Sequence, residues 1–137
     1  MMLTWIVAAF ATAIGFLGLD SIWLSLAASR LYRPKLGPLL LDHFNILPAF
    51  AFYLIYLAGI LLFAVAPALA SGRWTTALAR GAILGLVAYS TYDLTNQATL
   101  RGWSATVTLA DLCWGTLVTA TAATIGFIVA SAMTARG

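Results

Sequence analysis

A chain of 137 residues with 63% hydrophobic and 8% charged residues and a mean hydropathy of +0.99 has too little polar surface to cover a water-soluble globule. Composition therefore excludes a soluble domain and predicts an all-α integral membrane protein. The net charge of +3 rests on few cations, attached to membrane spans, so it suits contact with anionic lipid head groups and gives no footing for nucleic acid. The lone Cys113 excludes an internal disulfide.

In chain order, the first span is expected at roughly residues 3 to 28, long enough for the ~20 residues that a bilayer core requires. Its start, Met1-Met2-Leu3-Thr4-Trp5, lacks the basic region of a secretory signal, so the span is expected to be retained. It carries Asp20 and, three residues on, Trp23. The connection at about residues 29 to 45 contains Tyr32, Arg33, Pro34, Lys35, Gly37, Pro38 and then the run Leu39-Leu40-Leu41. Two prolines and a glycine predict a broken helix there, lying on the membrane surface as a possible lid.

Asp42, His43 and Asn45 lead into the second span, at roughly residues 46 to 68, which turns at Pro67, Ser71 and Gly72. The third span, roughly 75 to 98, has small residues at Gly81 and Gly85 that suit close helix packing inside the bundle or against a second copy. Its end bears Tyr92, Asp93, Asn96 and Gln97. After a turn at Arg101-Gly102, the fourth span, roughly 104 to 133, carries Thr108, Asp111, Trp114 and Gly115. The expected architecture is thus one transmembrane domain, a four-helix bundle with both termini on one side. Arg30, Arg33, Lys35 and Arg101 on one face against Arg73, Arg80 and Arg136 on the other do not fix its orientation; we take the polar face as cytoplasmic.

The carboxylates carry the functional argument. A charge in hydrocarbon costs several kcal/mol unless paired, protonated or wet, so an intramembrane aspartate is a functional-site hypothesis by default. At 1.5 Å per residue, Asp20 lies about 26 Å along the first span, Asp93 about 27 Å along the third and Asp111 about 10 Å into the fourth. Because alternate spans run oppositely, all three fall toward one face, with His43, Asn45, Asn96, Gln97 and Thr108 in the same layer. Trp5, Trp74 and Trp103 suit interfacial belts. Trp23 and Trp114 each follow an aspartate by three residues, so an indole could donate to a carboxylate or wall a pocket.

The run Tyr92-Asp93-Leu94-Thr95-Asn96-Gln97-Ala98-Thr99-Leu100, then Trp103, then Asp111-Leu112-Cys113-Trp114-Gly115 resembles the DUF2177 family of small bacterial four-span membrane proteins. Asp20 with Trp23, and Tyr32, look like the same family's N-terminal pattern. The resemblance implies a multi-pass protein of the bacterial inner membrane and carries over no activity and no catalytic residues.

Read from the residues, a pair or trio of membrane carboxylates can divide into proton donor and acceptor. Asp93 is the first choice of acid or base, with Asp111 or Asp20 as partner, Asn96 as an orienting group and His43 as a shuttle at the rim. Trp23, Trp114, Tyr92, Tyr32, Thr108 and Gln97 would line a pocket for a lipid-like hydrophobic molecule. Asp20, Asp93, Asp111 and His43 are also the donor types of Mg²⁺, Mn²⁺ or Fe, but no ligand spacing supports a metal, and no cofactor is assigned. Two readings of other classes stand beside this one. One is a proton-coupled small-molecule transporter working as a homodimer or larger oligomer. The other is a structural or accessory subunit of a partner membrane enzyme, its aspartates serving only to lock the bundle.

Overall fold

The computed structural model describes residues 1–135; Arg136 lies outside them. Four helices account for nearly all of that chain: α1 (Met2–Leu39), α2 (Ile46–Ser71), α3 (Trp74–Thr99) and α4 (Ala105–Thr134). Helices α1, α2 and α4 are long and apolar enough to cross a membrane. Their outward faces are those of a membrane protein: Ile14 is 70% exposed, Ile55 74% and Leu117 63%, an arrangement that only a lipid surrounding favours.

Helix α1 does not end near residue 28. It continues to Leu39 by changing its winding, first through a wide π-helical turn at Ala28–Tyr32, then through Arg33–Leu36 and a tight turn at Gly37–Leu39. A second π turn, Leu61–Val65, lies inside α2. Each precedes a proline by two residues, Pro34 and Pro67. Proline lacks an N–H and its ring collides with the carbonyl four residues back, here that of Arg30 or Phe63. A wider turn moves that carbonyl away without ending the helix. The prolines therefore change the winding where a break was expected, and of the connection between α1 and α2 only Leu40–Asn45 is left non-helical.

Helix ends follow ordinary capping chemistry. α2 closes on Gly72, at φ +67°, where a side chain would be strained. α4 opens at Ser104, whose hydroxyl accepts from the Val107 N–H at 3.4 Å.

α4 is the central element, flanked by α1 and α3. Its buried face consists mainly of small residues, among them Gly115, Ala120, Ala122, Ala123, Gly126 and Ala130. Thr12 and Ala8 of α1 lie against Gly126, while Gly85 of α3 lies directly on the Gly115 carbonyl and Gly81 lies beside Ala120. Without a hydrophobic drive between helices in lipid, such backbone approach is what holds a bundle together. The Gly81 and Gly85 face is thus used inside the chain. Gly85→Val, which drives a branched side chain into the Gly115 carbonyl, is expected to cost about 1–3 kcal/mol and lower the unfolding temperature in detergent. Gly18→Ala, at a position with open space around the added carbon, should leave it unchanged.

The second half of α2 packs on α3 through the buried Ile60, Ala64, Val65 and Ala68. Its first half stands off, with Phe50 58% and Phe52 47% exposed. At the other end of the bundle, the hydroxyls of Thr4 and Thr134 meet at 3.2 Å, which brings the start of α1 beside the end of α4.

Candidate functional site

The aspartates lie where the loose half of α2 faces α1, α3 and α4, and each has a different set of partners. Asp20 of α1 is 7% exposed. The Tyr53 hydroxyl of α2 donates to its Oδ2 at 2.6 Å, and the Trp114 Nε1–H of α4 donates to its Oδ1 at 3.1 Å. One carboxylate thus ties three helices with both of its oxygens satisfied. Two donors from different helices converge on it, so it is an anchor.

Asp111 of α4 accepts a short hydrogen bond from the Tyr32 hydroxyl, and the Tyr32 oxygen itself accepts from the Trp23 Nε1–H at 2.9 Å. Along a straight helix the nine residues from Trp23 to Tyr32 would span about 13 Å. The π turn at Ala28–Tyr32 and the length of both side chains bring them together. The Trp23 and Trp114 rings stack, 4.8 Å apart and within 7° of parallel. Trp114 therefore donates across helices and Trp23 within α1, where the spacing suggested the aspartate three residues before each, and the two rings meet inside the network.

Asp93 of α3 is 0% exposed, and neither of its carboxyl oxygens meets a donor. The Asp111 carboxyl lies within hydrogen-bonding reach of it. Two ionised carboxylates have no hydrogen to share, so that contact is a bond only when one of them carries a proton. Beside the pair is a cavity of about 360 Å³ lined by Phe52, Ala88, Tyr89, Tyr92 and Asp111. It lies between the loose half of α2 and the helices α3 and α4, almost entirely apolar except for the carboxyl at its wall. That is the general make-up of a small-molecule site.

Residues 5–128 match the model of a family described as a predicted membrane protein. The chain belongs to that family, DUF2177. No curated protein and no solved structure matches it.

Within this DUF2177 chain the remaining candidates divide. Tyr92 lines the cavity and meets the Trp103 ring edge-on at 5.7 Å. Thr108 is buried and accepts from the Trp103 Nε1–H at 3.1 Å, which fastens the turn before α4 and does not touch the acids. Asn96 is half-buried near the end of α3, and Gln97 and His43 are exposed. Among the described residues no three His, Cys, Asp or Glu side chains gather as a metal site.

Sequence reasoning missed Tyr53 and Tyr56 of α2 and Tyr89 of α3. Tyr53 holds Asp20, Tyr56 pairs with Thr119 at 2.7 Å, and Tyr89 walls the cavity over Gly115. A signal was present. Tyr53 and Tyr56, like Tyr89 and Tyr92, are three residues apart on one helix face, and a phenol in the interior of an apolar span needs a partner for its hydroxyl.

Proposed function

We propose that this protein is a four-span bundle, with both termini on one side of a bacterial inner membrane, that takes a lipid-like hydrophobic molecule sideways from the bilayer into the cavity between α2 and α3. There the Asp93–Asp111 pair, holding one proton between them, offers the polar end of that molecule a donor and an acceptor. The observation that carries this reading is Asp93 itself: a fully buried carboxyl with no donor, next to a second carboxyl at the wall of an apolar cavity. A merely structural acid would be expected to look like Asp20, with both oxygens bonded. A buried, unsatisfied acid beside a cleft is the kind of group found at sites that move protons or bind through them.

A fourth span requires α3 to tolerate lipid despite its polar residues. Its 26 residues reach about 39 Å, enough to cross. Its hydroxyls turn back onto their own helix, Thr91 to the Val87 carbonyl at 2.8 Å and Thr99 to the Thr95 carbonyl at 2.8 Å, so they leave few polar groups unsatisfied in hydrocarbon.

Filling the cavity tests the reading without touching the acids. Ala88→Trp should remove a defined co-purifying molecule, seen by mass spectrometry in gently extracted wild type, and Asp93→Asn should remove the same one. Vesicles containing the protein then separate conversion of that molecule from its transport. If wild type and both variants retain the same bulk lipids, the cavity holds no specific ligand and the reading fails.

A further inference from the structure

We infer that the Tyr32 hydroxyl is a proton relay joining the membrane-surface groove beside it to the buried Asp93–Asp111 pair. This rests on the reading above that the pair works by holding a proton.

A second hollow, of about 550 Å³, lies between the π turn of α1 and the loop that follows it. Its wall includes Tyr32, and it carries the polar groups of Arg33, Asp42 and Asn45 among leucines, so it is the more polar of the two hollows. Asp111 lines the other, apolar cavity. Tyr32 thus lines the groove and donates its hydroxyl to Asp111, and among the described residues no other side chain both lines that groove and bonds an acid of the pair.

The hydrogen-bond inventory of the phenol fits a relay. A hydroxyl has one donor and two acceptor sites. Its donor points at Asp111 and one acceptor takes the Trp23 N–H, which leaves one lone pair free. A hydronium ion in the groove can pass a proton to that lone pair while the original hydroxyl hydrogen moves to ionised Asp111. One proton then leaves the groove and one arrives at Asp111, with the phenol unchanged, and Asp111 hands it to Asp93 across their contact. The Trp23 bond fixes the ring so that the relay is already aligned, and the Trp23–Trp114 stack holds that indole in place.

The test is hydrogen–deuterium exchange of the carboxylic-acid C=O stretch, followed by infrared spectroscopy after transfer of the detergent-solubilised full chain to D₂O. The wild type should show a protonated-carboxyl band that Asp93→Asn removes; absence of that band in the wild type overturns the shared proton and the functional reading with it. Given the band, Tyr32→Phe should slow its exchange by roughly 10²-fold, the low end of what a positioned proton-transfer group contributes. Tyr56→Phe, which removes a buried hydroxyl that bonds only Thr119, should leave the rate unchanged. Because Tyr32→Phe also loses a packing contact, 3-fluorotyrosine placed at position 32 supplies an isosteric phenol that gives up its proton more readily, and it should speed exchange. An unchanged or faster rate in Tyr32→Phe, or no response to fluorination, overturns the relay while leaving the acid pair standing.

Discussion

Asp93→Asn is expected to unfold at a higher temperature than the wild type while losing the co-purifying molecule. Apart from a proton shared with Asp111, Asp93 has no donor to either oxygen, and a buried polar group left unsatisfied costs about 1–3 kcal/mol. The amide keeps the shape and supplies an N–H toward Asp111, so the variant should gain on the order of 1–3 kcal/mol. Stability gained as function is lost is the pattern of a site held in a costly state for its chemistry. Thermal unfolding in detergent, read beside the bound-molecule profile, checks it. A variant less stable than the wild type would make Asp93 a lock of the bundle.

Asp20 should behave in the opposite way. Asp20→Ala leaves the Tyr53 hydroxyl and the Trp114 N–H without their acceptor, and two orphaned donors at about 1–3 kcal/mol each amount to roughly 2–6 kcal/mol. Against a total stability of about 5–15 kcal/mol, that is enough to deplete folded protein from the membrane. Asp20→Asn keeps one acceptor oxygen and should recover about half of the loss. The yield of monodisperse protein and its unfolding temperature measure both. If Asp20→Ala folds as well as the wild type, the three-helix anchor is not what holds α2 to the bundle.

The contrast between these two acids was not legible in the sequence, although their convergence was. Depth along oppositely running helices is a matter of counting at constant rise, so Asp20, Asp93 and Asp111 could be placed in one layer without a structure. Partners across helices follow no such count. Nothing in the run Phe52-Tyr53-Leu54-Ile55-Tyr56 says which face turns toward Asp20, and no spacing shows that Trp114 serves Asp20 while Trp23 serves Tyr32. The helix past residue 28 was misread for a related reason: proline was read as a stop, whereas a π turn before Pro34 absorbs it and carries Tyr32 back to Asp111. His43, in a layer defined only by depth, lies on an exposed stretch of chain. Gly81 and Gly85 were legible as a close-packing face, and the choice between a second copy and α4 needed coordinates.

The loose half of α2 is what links fold to function. Small residues draw α1, α3 and α4 together, the lower half of α2 joins them, and its upper half meets the rest mainly through the Tyr53–Asp20 bond and aromatic edges such as Phe16–Tyr53 at 6.0 Å. A cavity beside the Asp93–Asp111 pair follows from that packing, and in the proposed function it is where a lipid-like molecule enters.

The central claim is that lipid enters between α2 and α3, and photo-crosslinking tests it most directly. Wild-type protein in native-lipid membranes would be labelled with a lipid bearing a diazirine on its acyl chain, and the adducts mapped by peptide mass spectrometry. Adducts concentrated on Phe52, Tyr89 and Tyr92, and displaced when Ala88→Trp fills the cavity, are the predicted result. Labelling spread evenly over outward residues such as Ile14, Ile55 and Leu117, and unmoved by that substitution, would contradict it.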